Sequence, residues 1–293
     1  MKKIFKSLMS VLTVFALLFA ASCGGADKQN QKPAGNDGKA ASQESDTFTV
    51  GMECGYAPYN WSQADDANGA VPIKGSQEYA YGYDVIIAKK IAESMGKTLV
   101  VQKIDWDGLP LALQAGNIDA VIAGQSITSE RLKTVDFSKP YYFASVVAMT
   151  KTGSKYENAK SIAELAGAAV TSQINTIWYD VCLPQIPDAK ILPAQESAPQ
   201  MLVALDAGKA DVIVCDMPTA LAAQAVYKDF KILDFGKTDG DFKVSDEDIN
   251  IGISVKKGNS ALLKEINKVL DTMSPDDYTK LMQEAISVQP LNS

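Results

Sequence analysis

The chain has 293 residues, 46 % of them hydrophobic, with a formal charge of −7 at neutral pH. An acidic surface excludes a nucleic-acid partner gripped through its phosphates. The chain also contains no histidine, which removes imidazole general bases, Ser-His-Asp and Cys-His nucleophiles and every histidine-containing metal site.

In chain order, the first element is a leader. Three lysines in Met1 to Lys6 precede the apolar stretch Leu8 to Ala21, the charged-then-apolar layout of a secretory signal over residues 1–22. That stretch is short of the roughly 20 apolar residues that a membrane-spanning helix needs. Residues 23–46 carry no aromatic side chain and are mostly small or polar, so a flexible tether is expected there. The body begins with the alternation Phe48-Thr49-Val50-Gly51-Met52, a strand that runs into the loop Glu53 to Tyr59. Tyr83 to Met95 then places Val85, Ile86, Ala88, Ile91 and Ala92 on one helical stripe, with Gly96 as its C-cap. Leu99 to Val101 reads as a strand, Leu109 to Ala115 as a short helix and Ile118 to Gly124 as another strand.

This βαβαβ run implies an α/β fold with a mostly parallel sheet whose ligands gather beyond the C-terminal strand ends. After an extended stretch at Tyr141 to Val147, a second unit of the same kind follows, with Ala168 to Val170 and Asp211 to Val214 as strands and Ser197 to Ala207 as a helix. Ile249 to Val255 reads as a second extended crossing, and helices are expected near Ala261–Thr272 and Pro275–Ile286. The reading is a two-lobed chain, with residues 47–142 and 250–293 forming the first lobe and 147–245 the second. A cleft that closes on a hinge follows from that layout.

Candidate chemistry concentrates in GQSITSERLKTVDFSKPYY, residues 124–142. There a strand ends, Thr128 or Ser129 caps a short helix, and Arg131 projects near the strand end. Strand-end amides, the Ser126 hydroxyl and a guanidinium together suit a carboxylate. Cys54, Cys182 and Cys215 lack CxxC spacing, so neither a thiolate metal site nor a redox pair is expected, and free buried thiols are.

The ordered stretches GYAPYNW, GYDVIIAKKIA, WDGLPLALQAGNIDAVIAG, SERLKTVDFSKPYY and DVIVCDMPTA resemble the amino-acid-binding receptors of ABC importers, bacterial extracellular solute-binding protein family 3. The resemblance spans residue 47 to about 286. It implies a periplasmic-binding-protein-like fold of type II, with two hinge strands and a central ligand cleft, and it implies no enzyme activity, no metal and no cofactor. Carried over by position, Arg131, Ser126 and Gly124 would hold a free amino acid's α-carboxylate, and Asp216 its ammonium group. Tyr56 and Trp106 would flank the ligand side chain, with Thr171 and Cys215 near its far end. Glu53 falls where receptors for basic amino acids place an acid. The loop Thr171-Ser172-Gln173-Ile174-Asn175-Thr176 departs from the Gly-Thr-rich turn of the family, and Asn175 is the residue left to donate from it.

Phe19-Ala20-Ala21-Ser22-Cys23 resembles a lipobox, which implies cleavage before Cys23 and acylation of that cysteine. The partners expected are therefore a free amino acid, the membrane permease of an importer and the lipid bilayer, with the body a lipid-anchored monomer outside the cell membrane. Alternatives of other classes remain open: a secreted dehydratase-like enzyme on the same fold, or a surface adhesin. Within the receptor class, a neutral polar amino acid or cystine is the alternative ligand.

Overall fold

The computed structural model describes residues 46–236 and 238–290. The leader, the Cys23 motif and the tether up to residue 45 lie outside the described residues. The described body is built on two five-stranded sheets. In the first, the strand order is Thr98–Lys103, Thr47–Met52, Ala120–Val121, Ser254–Lys256, Val135–Phe137. The first three run parallel, with Val50 facing both Val101 and Ala120. The strand Ser254–Lys256 returns antiparallel between its two neighbours. The second sheet repeats the plan, with Lys190–Ile191, Ala169–Thr171 and Val212–Asp216 parallel and Val146–Lys151 antiparallel to Val212–Asp216 and Phe230–Leu233.

The two sheets are joined by two extended crossings, Tyr142–Phe143 and Asn250–Ile251, which pair antiparallel with each other. Backbone bonds from Tyr141 N to Ile251 O and from Ala144 N to Ile249 O, both 2.9 Å, extend that ribbon. The molecule therefore has two α/β lobes bridged by a thin hinge, with a cleft between them.

Helix Tyr83–Ser94 covers the first sheet by burying Val85, Ile87, Ala88, Ile91 and Ala92. Ile87 takes the buried place that the stripe assigned to Ile86, because the helix packs both on the sheet and on the two C-terminal helices, which broadens its apolar face. Its end is closed at Gly96, φ 65°, by bonds from Gly96 N to Glu93 O and from Lys97 N to Ala92 O, the left-handed arrangement expected of a C-cap glycine. The helices Ser260–Leu270 and Pro275–Val288 each start one residue earlier than, or at, the expected position and differ from it by two residues at the far end. The long strand expected over Ile118 to Gly124 forms ladder pairs only at Ala120–Val121. Beyond Val121 the backbone turns into the cleft. A small antiparallel sheet, Gly55–Tyr56, Asn60–Gln63, Tyr79–Tyr81 and Val71–Pro72, intervenes between the first strand and the first helix. The three cysteines Cys54, Cys182 and Cys215 are free and buried. Among the described residues no helix is long and apolar enough to cross a membrane.

Candidate ligand cleft

Four of the parallel strands carry the chain to residues of the cleft. Glu53 follows Thr47–Met52, Trp106 follows Thr98–Lys103, Gly124 follows Ala120–Val121, and Asp216 closes Val212–Asp216. Parallel strands leave their C-terminal ends pointing one way, so side chains distant in sequence converge there. They enclose a cavity of about 10 Å³ lined by Tyr56, Trp106, Gly124, Ser126, Arg131, Gln173, Thr176 and Trp178. That volume suffices for about one water molecule. The cleft is closed on itself.

Among the described residues five hydrogen bonds cross between the lobes and keep it so, one of them from Gln289 Nε2 to Ala222 O at 3.2 Å, away from the cavity. The Tyr56 hydroxyl donates to Asp216 Oδ2. Gln173 Nε2 donates to Glu53 Oε1 at 3.0 Å, Arg131 Nη2 to Asn175 O at 2.9 Å, and Asn175 Nδ2 to Asp107 Oδ1 at 2.7 Å.

The electrostatics are those of a site with its own charges separated. The Arg131 guanidinium lies 5.3 Å from the Trp106 ring centroid and donates through Nη1 to Ser126 O at 2.8 Å. Among the described residues no carboxylate forms an ion pair with it. Burial lowers its pKa to about 10, so it stays a cation at neutral pH. Asp216 is 1 % exposed and likewise meets no cation. Burial pushes its carboxyl above the usual range, against the bonds from Tyr56 and Thr219. It also caps helix Met217–Val226, accepting from Thr219 N at 2.8 Å and from Thr219 Oγ1 at 3.1 Å. Glu53 is raised to about 7, first by desolvation, with the charges of Asp105, Asp107 and Asp84 adding to the rise and the Gln173 bond opposing it. A guanidinium at one end, a carboxylate across the cleft and a second, reluctantly ionised carboxyl suit a ligand that brings one negative and one or two positive charges.

The residues singled out in the sequence fall into three groups. Tyr56, Trp106, Gly124, Ser126 and Arg131 wall the cavity. Glu53, Asn175 and Asp216 bond to groups across it. Thr171 and Cys215 do not reach it. Thr171 donates its hydroxyl to Pro193 O at 2.9 Å, and Cys215 is 2 % exposed in a central strand, paired with Val147. Side chains alternate across a strand, so a residue adjacent to Asp216 faces the opposite side of the sheet. Both rings of the expected flanking pair line the cavity, each packed on a further group. Trp106 lies against Arg131, and Tyr56 stacks on Tyr59 with centroids 4.9 Å apart.

Thr128 contributes by accepting from Arg131 N at 3.2 Å, while the turn Arg131–Lys133 is 3₁₀ with no side-chain cap from Glu130. Gln173 and Thr176, which the sequence marks only as members of the loop 171–176, and Trp178, which it does not mark, also line the cavity. The only sequence signal for Gln173 is its place in the strand-end loop, where glycine is usual in the family and a long amide is not. In that loop Asn175 adopts φ 56°, a left-handed conformation that asparagine tolerates better than most residues, so the turn closes without glycine.

The comparisons with known proteins agree with the two-lobed fold. The model of the bacterial extracellular solute-binding proteins, family 3, matches residues 48–287. The chain is 28 % identical, over 297 residues and 99 % of both chains, to the glutamine-binding protein GlnH of an ABC transporter of Bacillus subtilis. Among solved structures it is similar to an amino acid ABC transporter substrate-binding protein from Streptococcus pneumoniae bound to L-arginine, with TM-score 0.72, 25 % identity and coverage of 83 % of this chain and 95 % of that one. It is also similar to an ancestral amino acid-binding protein that was a precursor of cyclohexadienyl dehydratase, with TM-score 0.67, 28 % identity and coverage of 82 % and 96 %. The match runs through both lobes and the hinge, and on that ground the chain belongs to the bacterial extracellular solute-binding proteins of family 3.

Proposed function

We propose that this protein is the extracytoplasmic binding component of an amino-acid ABC importer and that its cleft closes on a free L-amino acid with a polar, basic side chain. The observation that carries the reading is the separation of Arg131, half-buried in the cavity wall, from the buried Asp216, which meets the wall residue Tyr56; among the described residues neither forms an ion pair. Charges taken out of water without compensation are costly, and a zwitterion supplies both missing partners at once. The Tyr56 hydroxyl donates to the Asp216 oxygen that an α-ammonium group would meet. Glu53, with its carboxyl raised to about 7, would recover its charge beside a distal ammonium or guanidinium. This supports a basic ligand over the neutral glutamine named for the Bacillus relative.

Ligand entry requires the lobes 47–142 with 250–293 and 147–245 to part about the crossings at 142–143 and 250–251, breaking the four bonds that cross the cleft beside the cavity. Closure then presents an occupied shape to the importer's permease. No catalysis is assigned: with no histidine in the chain, the carboxylates of the cleft are accounted for by binding. Attachment to the membrane through acylated Cys23 completes the proposal, and palmitate labelling that is lost in Cys23→Ser checks it.

Thermal unfolding of the mature chain against each common amino acid and cystine, at millimolar concentration, tests the ligand. Occupancy at 100 times Kd stabilises by about 2.7 kcal/mol, which raises Tm by roughly 5 to 10 °C at this size. Arginine, lysine or ornithine is expected to stand out. A neutral amino acid standing out would overturn the basic assignment, and a flat panel would overturn the amino-acid reading itself.

A further inference from the structure

We propose that Asp84, whose carboxylate meets the Gly124 backbone and no side chain of the cavity wall, is a positioning residue of the cleft. Its carboxylate ties together the two strand-end segments that carry Glu53 and the Gly124–Arg131 anion site. The inference rests on the amino-acid reading above.

Asp84 begins the helix Tyr83–Ser94 and is completely buried. Its two oxygens accept from different segments: Oδ2 from Asn60 Nδ2 at 2.8 Å and Oδ1 from the Tyr141 hydroxyl at 2.6 Å. Each donor passes the constraint on. Asn60 Oδ1 accepts from Cys54 N at 2.8 Å, and Tyr141 Oη accepts from Gly124 N at 3.2 Å. The two amides reached in this way belong to backbone in the left-handed region, Cys54 at φ 54° and Gly124 at φ 60°. Cys54 directly follows Glu53, and Gly124 itself walls the cavity.

Cysteine in that region is strained by about 1 to 2 kcal/mol and holds the conformation only where its surroundings fix it. Gly124 has no freedom to move toward the aromatic wall, since a Cβ there would come within 2.7 Å of Tyr56 Cε1. Among the described residues no cation forms an ion pair with Asp84. A core that needed stability alone would be served as well by an apolar side chain of the same volume, because an unpaired buried carboxylate carries a desolvation cost. What an apolar residue cannot do is accept two bonds at once from opposite sides of the site. Burial lifts the Asp84 carboxyl to about 6, so it is ionised at neutral pH and both bonds are charge-assisted.

Asparagine at this position offers one acceptor in place of two. One of the two bonds is then lost or reversed and the other is no longer charge-assisted, so the anchors of both Cys54 and Gly124 are loosened. The test compares Asp84→Asn, Tyr141→Phe and the double variant in the full mature chain. It reads affinity for the amino acid found in the thermal panel, and the amide resonances of Cys54 and Gly124 with Val50 and Val121 as sheet references. Asp84→Asn is expected to weaken binding at least tenfold, to displace both reporter amides and speed their exchange, and to leave Val50 and Val121 in place. Tyr141→Phe keeps its ring on Tyr83, 5.6 Å away, and is expected to move the Gly124 amide alone and weaken binding three- to tenfold. The double variant is expected to bind within twofold of Asp84→Asn, since both act through one chain of bonds.

Binding within twofold of the parent together with undisturbed amides would overturn the proposal. If Asp84→Asn does not fold, Tyr141→Phe decides by the same criteria. If the parent binds no amino acid, the functional reading fails, while the amide signatures still decide the role of Asp84.

Discussion

Arg131 is a cation that the folded chain leaves without an anion, and this governs what its loss should do. Its guanidinium is held by the carbonyls of Ser126 and Asn175 and by the face of Trp106. Lysine at this position keeps the charge but not the fork that meets a carboxylate with two parallel bonds. Arg131→Lys should therefore weaken amino-acid binding by one to two orders of magnitude, measured by calorimetry, with little change in the Tm of the ligand-free protein. Gly124 is constrained by space as well as by conformation. A methyl group there would meet Tyr56 at 2.7 Å and Tyr59 at 3.2 Å from a backbone at φ 60°, so Gly124→Ala should cost about 1 to 3 kcal/mol in a denaturant titration.

Glu53 gives a prediction in pH. Its carboxyl is raised from 4.5 to about 7, so the folded chain binds that proton more tightly than the unfolded one. Its contribution is intact below about pH 4.5 and is lost as pH rises through 7. Asp84, raised from 3.8 to about 6, acts in the same direction in a lower window. The interval from pH 6 to 7 therefore reports mainly on Glu53. Ligand-free stability should fall there by about 1 kcal/mol, and Glu53→Gln should flatten that segment in unfolding curves taken across the interval.

At the scale of the element, helix Met217–Val226 and the ligand draw on one carboxylate. Asp216 caps the helix through Thr219 N and faces the cleft through the oxygen that accepts from Tyr56. Asparagine is as good an N-cap as aspartate. Asp216→Asn is therefore expected to hold the ligand-free protein within about 0.5 kcal/mol of its parent in chemical denaturation while weakening binding at least tenfold, since a neutral amide cannot answer an ammonium group. A variant that loses stability and binding together would show the cap to be the main role.

Elements also differ in how well the sequence foretells them. Helix Leu109–Ala115 forms at the expected residues, because its apolar positions and the following Gly116, φ 76°, are local signals. The small sheet over residues 55–81 has no such signature. Its strands of two to four residues are set by pairing across turns, as in Trp61 with Tyr81, and pairing partners are not encoded next to each other.

For the whole molecule, closure without ligand depends on a few bonds between the lobes, of which the Tyr56 hydroxyl on Asp216 is the most buried. Tyr56→Phe keeps the ring on Tyr59 and removes that bond. The ligand-free protein should then populate a wider cleft, seen as a larger radius of gyration in solution scattering, and added ligand should restore the compact form. An unchanged radius in both states would show that the remaining inter-lobe bonds suffice.

The sequence by itself determined the alternation of strands and helices, the two-unit plan and the cluster around Arg131, because side-chain periodicity and local motifs are properties of neighbouring residues. It also excluded imidazole chemistry through composition alone. Only the tertiary structure decided that Gln173 and Trp178 wall the cavity while Thr171 and Cys215 turn away, and that Asp84 reaches Glu53's loop and Gly124 through Asn60 and Tyr141. The reason is physical. Those facts depend on which face of a strand meets the cleft and on bonds between residues dozens of positions apart, and both are fixed only when the sheets pack and the two lobes come together.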